Sequence, residues 1–197
     1  MLPHMPELWL IRHGETPWTL SGAHTGRTDI PLTAAGREQA LALGRYLAGR
    51  DFAVVLVSPL QRALETCRLA GFGGSAAIEP DLREWDYGDY EGRTSTEIRT
   101  GRPDWSIFTN NPPNGETIEQ VTARAGRVLA RVEAQAFPAG DAVLFGHGHM
   151  LRVLAACWLG LEPADGRLLA LAPASVSTLG FERETRVIAR WNLTISA

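Results

Sequence analysis

Residues 9–18 read Trp9-Leu10-Ile11-Arg12-His13-Gly14-Glu15-Thr16-Pro17-Trp18. An apolar run stops abruptly in a cation, an imidazole and a residue with no side chain. Unbroken apolar runs of this length mark strands buried on both faces, the kind found in parallel sheets. The reading decides the fold because the pattern recurs. "FAVVLVS" (52–58) is continuous and β-branched, and "DAVLFGHG" (141–148) is a third such run, ending in histidine.

Helical periods separate these runs. In "LTAAGREQALALGRYLAG" (32–49), Thr33 suits an N-cap, Ala40, Leu43 and Leu47 share a face, and Gly49 suits the end. In "SPLQRALETCRLAG" (58–71), Ser58 can cap, Pro59 fits the first helical position and Gly71 stops the helix. "AAIEP" (76–80) is a short strand. From Asp81 to Gly115 periodicity is lost, and loops with one short helix near Thr94–Thr100 read as a lid-like insertion at about 81–115. Ile118, Val121, Ala125, Val128, Leu129 and Val132 then repeat at helical spacing, opened by a Thr117–Gln120 capping box. "HMLRVLAACWLG" (149–160) is a helix apolar on most sides. "ASVSTLGFE" and "RVIARWN" close the chain as a hairpin. The alternation predicts an α/β fold, a three-layer αβα sandwich with a mostly parallel central sheet, as one domain over 1–197.

Bulk properties narrow the function. Hydrophobic content of 45% and charged content of 21% are ordinary for a globular chain. A net charge of -3 provides no basic field for nucleic acid. All 19 basic residues are arginine, so any anion site must use the planar guanidinium fork. Cys67 and Cys157 lack metal or disulfide spacing and read as reduced core residues. No secretion signal opens the sequence, and "MLRVLAACWLGL" is too short to span a bilayer and contains Arg152. The expectation is a cytoplasmic protein with a small-molecule partner, no nucleic acid, no membrane, no cofactor and no metal. The oligomeric state stays open, a homodimer included.

In parallel sheets, ligands bind beyond the carboxyl ends of the strands. Three strand ends here carry polar residues: Arg12-His13, then Ser58 with Arg62 one turn into the next helix, then His147-Gly148-His149. Two arginines and two histidines converging on one edge suit a phosphomonoester. Arginines can clamp the anion, and a neutral imidazole is a competent nucleophile at phosphorus. The attacking nitrogen is free only if the other donates its proton, usually to a backbone carbonyl. Gly14 would permit that turn and leave room for phosphate. His149 beside His147 raises the question of a metal pair, but no carboxylates stand at ligand spacing.

Arg12-His13-Gly14-Glu15-Thr16 resembles the signature of the histidine phosphatase superfamily. Further segments resemble that family in order: "HTGRTDIPLTAAG" (24–36), "SPLQRALET" (58–66), "LREWDYGDYEG" (82–92), "NGET" (114–117) and "FGHG" (145–148). The resemblance implies that His13 is the nucleophile and becomes phosphorylated. It implies that Arg12, Arg62 and His147 hold the phosphoryl oxygens, and that Glu84 protonates the leaving alcohol and then activates water. Trp85 and Tyr87 beside Glu84 are surroundings that raise a carboxyl pKa. Asp86 and Glu91 remain its rivals. Thr25, Gly26 and Gly148 would contact phosphate. Thr19 stands where several family members carry asparagine, and is ranked below the others. His24 reads equally as a loop residue and as a substrate contact.

The resemblance extends to a branch acting on sedoheptulose 1,7-bisphosphate and related sugar phosphates, with Arg93, Arg99 and Arg102 as receivers of a second phosphate. A phosphoglycerate mutase is the alternative. A catalytically silent binding protein on the same fold is another. The modest Glu84–His147 interval and the short ending "WNLTISA" favour hydrolysis.

Overall fold

The structure, a computed structural model, describes residues 5–195. The ends of the expected 1–197 domain, residues 1–4 and 196–197, lie outside the described residues. The strands are β1 (Leu8–Arg12), β2 (Val54–Val57), β3 (Ala77–Ile78), β4 (Ala142–Gly146), β5 (Ser175–Glu182) and β6 (Thr185–Thr194). They form one sheet in the order β3-β2-β4-β1-β5-β6. Pairings β3–β2, β2–β4 and β4–β1 are parallel, while β5 runs antiparallel to both β1 and β6.

The helices are α1 (Pro17–Ser21), α2 (Ala34–Leu47), α3 (Gln61–Leu69), α4 (Ser95–Gly101), α5 (Ile118–Gln135) and α6 (Gly148–Trp158). Strand side chains alternate between two apolar layers. Trp9, Ile11, Val55, Val57, Val143 and Phe145 pack with Leu43 and Leu47 of α2 and Ala63 and Cys67 of α3. Leu8, Leu10, Leu56 and Leu144 face the other way, onto Val121, Ala125 and Val128 of α5 and Leu151 and Leu154 of α6. Each fully buried aliphatic side chain contributes about 1.5–3 kcal/mol. Both faces are therefore covered, and the three-layer α/β sandwich stands as expected.

The sheet order brings the polar strand ends side by side, with β4 between β2 and β1. Arg12 pairs with Gly146, and Val57 with Phe145. The ladder continues one residue further. The His13 N–H donates to the Gly146 carbonyl at 3.0 Å, and the Ser58 N–H to that of Phe145, also at 3.0 Å. Ser58, His147 and His13 thus leave three neighbouring strands at one level.

Three local readings change. Helix α3 begins at Gln61, with Leu60 as an N-cap that makes no side-chain bond. Asp29 accepts from the Gln61 N–H at 2.8 Å, so a distant loop caps this helix and Ser58 is released for other work. Helix α1 was not foreseen, although its start signals are present: Pro17 at the first position, and Thr16 with Thr19 in a reciprocal capping box. Gly14 is explained by the neighbouring helix and not by the ligand. A Cβ there would lie 2.5 Å from the Gly36 carbonyl oxygen, and one at Gly36 would lie 2.2 Å from that of Glu15.

The paired glycines let α2 press against the loop that follows β1. Gly36→Ala should force that contact apart and cost about 1–3 kcal/mol, read as a lower urea midpoint with unchanged m-value. An unchanged midpoint would mean the close approach contributes nothing.

Candidate active site

His13 is buried, and its Nδ1 lies 2.8 Å from the Gly14 carbonyl oxygen. A carbonyl only accepts, so Nδ1 carries the proton and Nε2 is left with its lone pair. Burial pushes the His13 pKa well below its ordinary value, and the Arg62 and Arg12 charges push it further. The ring is therefore neutral near pH 7.

His147 lies against it, with ring centroids 5.1 Å apart. Arg62 Nε donates to His147 Nδ1 at 3.2 Å, which places the His147 proton on Nε2, 2.7 Å from Ser58 Oγ. Burial chiefly, then Arg62, lowers this pKa well below the usual histidine range too. Arg62 is fully buried. Its Nη1 donates to the Thr28 carbonyl at 3.1 Å, and its Nη2 to those of Thr25 at 2.9 Å and Gly26 at 3.2 Å. Of five guanidinium N–H groups, only one on Nη1 stays uncommitted among the described residues.

A cleft of about 240 Å³ opens over His13. Arg12, Glu84, Thr25, Gly148, Trp18, Thr19, His24, Tyr87, His149 and Arg152 are among the residues that line it. Arg62 and His147 are not among the lining residues; they lie buried beside the cleft, His147 against the His13 ring. Arg12 Nη1 donates to the Leu171 carbonyl, while its Nε is buried with no partner among the described residues. Gly148 lets that guanidinium approach, since a Cβ there would sit 3.3 Å from Arg12 Cζ.

Glu84 separates from its rivals by geometry. The N–H groups of Trp85 and Met150, each at 2.9 Å, donate to Oε1, and that of His149 at 3.0 Å donates to Oε2. The carboxylate thus sits on the N-terminus of α6, where the helix dipole favours negative charge. Asp86 instead pairs with Arg27 at 2.6 Å, and Glu91 accepts from the N–H groups of Gly26 and Thr28. Neither lines the cleft.

Gly26 is a correction. Its N–H is held by Glu91 at 2.9 Å and it does not line the cleft, so no amide is offered to phosphate there. Thr19 lines the cleft, but its hydroxyl donates to the Thr16 carbonyl at 2.9 Å in the α1 capping box. Thr25 similarly donates to the Ala23 carbonyl at 3.1 Å and keeps only lone pairs for a ligand. His24 is buried, stacked on Tyr87 at 4.6 Å, and desolvation pushes its pKa down to about 4. Arg93, Arg99 and Arg102 all miss the cleft; their contacts are with Tyr90, Glu97 and Trp105. The unforeseen cation is Arg152, which lies one helical turn beyond Gly148 on α6. That i, i+4 spacing was the available signal.

The segment 81–115 is firmly packed: Trp85, Tyr87, Tyr90, Ile98, Trp105 and Phe108 join the core cluster beneath α5 and α6. Among the described residues no helix is long and apolar enough to cross a membrane, and no three His, Cys, Asp or Glu side chains gather as metal ligands.

The profile of the histidine phosphatase superfamily (branch 1) matches residues 8–194. The chain belongs to this superfamily. It is 39% identical over 189 residues to an acid phosphatase of Mycobacterium tuberculosis, covering 95% of this chain and 92% of that one. It is 35% identical over 185 residues to sedoheptulose 1,7-bisphosphatase of Saccharomyces cerevisiae, covering 79% of this chain and 68% of the relative. A solved structure of a Mycobacterium tuberculosis open reading frame superposes with a TM-score of 0.92 at 38% identity, covering 96% and 98% of the two chains. Membership and these phosphatase relatives make the protein a phosphomonoesterase of the hydrolase class.

The depressed histidines carry a stability consequence. Stability falls as pH falls wherever the unfolded chain binds more protons than the folded one. His13, His24, His147 and His149 all titrate lower when folded, so the unfolded chain protonates first. Stability should be fully present above about pH 6.5 and decline as pH falls below it, each histidine contributing up to about 1.4 kcal/mol per pH unit. Urea unfolding at pH 7.5 and 5.5 measures this, and equal stabilities would contradict the buried neutral state.

Proposed function

We propose that the protein hydrolyses a small phosphorylated sugar carrying a second anionic group, through a phosphohistidine at His13. The observation that carries the reading is the Nδ1 contact to the Gly14 carbonyl, which leaves Nε2 bare, neutral and at the cleft. In the first step the Nε2 lone pair forms a bond to phosphorus, the ester P–O bond breaks, and the leaving oxygen takes a proton that the bound ester monoanion has first placed on Glu84 Oε2, the carboxylate oxygen with one amide donor where Oε1 has two. In the second, water attacks phosphorus, its proton returns to Glu84, and the P–N bond breaks with its electrons on Nε2. Ester and water become alcohol and phosphate.

The phosphoryl oxygens would take the unpartnered Arg12 Nε–H and the spare N–H of Arg62. They would also take the N–H of Gly148, which as the first residue of α6 has no intrahelical partner. His147 Nε2–H would join by exchanging Ser58 Oγ for a phosphoryl oxygen. Thr25, Thr19 and His24 would border the ester. Arg152 replaces the three lid arginines as the receiver of a second anion: it lines the same cleft, positioned by the Gly166 and Arg167 carbonyls and by the Phe108 ring at 4.6 Å. Likeness to a sedoheptulose 1,7-bisphosphatase supports a bisphosphate. Two free thiols, at Cys67 and Cys157, suit a cytoplasmic setting.

Phosphate release from p-nitrophenyl phosphate, with a chelator present, tests the chemistry. His13→Ala should lower kcat by at least about 10³-fold, and acid-labile radiolabel should be trapped on wild type alone. Equal activity in both proteins would sink the reading. Rapid interconversion of 2- and 3-phosphoglycerate primed by 2,3-bisphosphoglycerate would make it a mutase instead. Arg152→Gln should raise KM for fructose 1,6-bisphosphate roughly 10- to 100-fold more than for fructose 1-phosphate, as loss of a charge-assisted contact requires. Equal changes would remove Arg152 from the substrate.

A further inference from the structure

The cleft wall between Arg12 and Arg152 has a chemistry of its own. Tyr87 Oη lies 2.6 Å from His149 Nδ1. His24 stacks on Tyr87, and its Nε2 lies 3.4 Å from Ser95 Oγ. All four side chains line the same cleft as His13 and Arg152, and His149 stands on α6 between Gly148 and Arg152.

Their protonation follows from their surroundings. Burial, then the charge of Glu84, pushes the Tyr87 hydroxyl well above its ordinary range, so it remains a phenol. Its proton needs an acceptor, and His149 Nδ1 is its partner among the described residues. With Nδ1 accepting, the single proton of a neutral His149 resides on Nε2. That ring is kept neutral by burial and by Arg152, His24 and Arg12. His24 is neutral as well. The wall therefore carries no charge but mixes a fixed donor, His149 Nε2–H, with the oxygen of Ser95 and the ring nitrogens of His24. Hydroxyl groups both donate and accept, and a row of them satisfies such a wall. An alkyl chain leaves its polar groups unpaired.

We propose that His149, held in one tautomer by Tyr87, is a specificity-determining residue that reads the hydroxyl groups of the substrate between its phosphoryl end and Arg152. The inference rests on the phosphatase reading above and names what that site selects: a polyhydroxylated carbon chain. Tyr87 acts through His149 and is a positioning residue.

The test compares fructose 1-phosphate with n-hexyl phosphate. Both release an unactivated primary alcohol, so any disturbance of Glu84 acts on both alike. His149→Leu should lower kcat/KM for the sugar phosphate roughly 3- to 10-fold more than for the alkyl phosphate, as loss of one uncharged hydrogen bond requires, mostly through KM. His149→Gln, whose amide N–H can stand in for Nε2–H, should recover most of that difference. Tyr87→Phe should give a smaller loss with the same selectivity. Equal losses on both substrates, or no recovery with glutamine, would overturn the inference while leaving hydrolysis intact. A wild type that cleaves hexyl phosphate but no sugar phosphate would overturn the sugar reading and this inference together.

Discussion

A fully buried guanidinium holds the site together. Arg62 could not sit inside the protein unless its N–H groups were met, because an unpaired buried charge costs several kcal/mol. It is met by three carbonyls of the loop 25–28 and by the bare nitrogen of His147. The loop is in turn tied down by Glu91, which accepts from Gly26 and Thr28, and by Asp29, which caps α3. One cation thereby sets the course of a loop, the tautomer of a histidine and the direction of the Ser58 hydroxyl. Burial first, and the same charge second, keep both catalytic-edge histidines from protonating.

Much of this was legible in the chain. Continuous apolar strands separated by capped helices were enough for the layered α/β fold, because burial on both faces leaves no other economical reading. Thr33 and Thr117 cap as expected, and Thr94 caps α4 in the same way, since capping is a local bond between near neighbours. The strand-end rule placed His13, His147 and Arg62 at one edge for a similar reason: sheet order is all it needs.

The remainder depended on distant partners. Ser58 looked like a cap, but Asp29 took that role from 32 residues away. Gly26 looked like an anion-binding amide until Glu91 claimed it from the lid segment. Glu84, Asp86 and Glu91 are interchangeable as letters, and only the N-terminus of α6 distinguishes the first. Arg93, Arg99 and Arg102 were credible because they stand close together in sequence, yet aromatic rings and carbonyls of their own segment engage them. Side-chain allegiance across the fold is not written in local periodicity.

The manner in which α6 holds Glu84 bears on how such a site can evolve. The amides of residues 149 and 150 grip the carboxylate, while residue 149 lines the cleft. A main-chain N–H is supplied by every amino acid except proline. The first turn of this helix can therefore exchange its side chains, and with them its substrate, without surrendering the grip on the acid. Chemistry is lodged in the backbone and taste in the side chains, so new specificities lie a single substitution from an enzyme that still works.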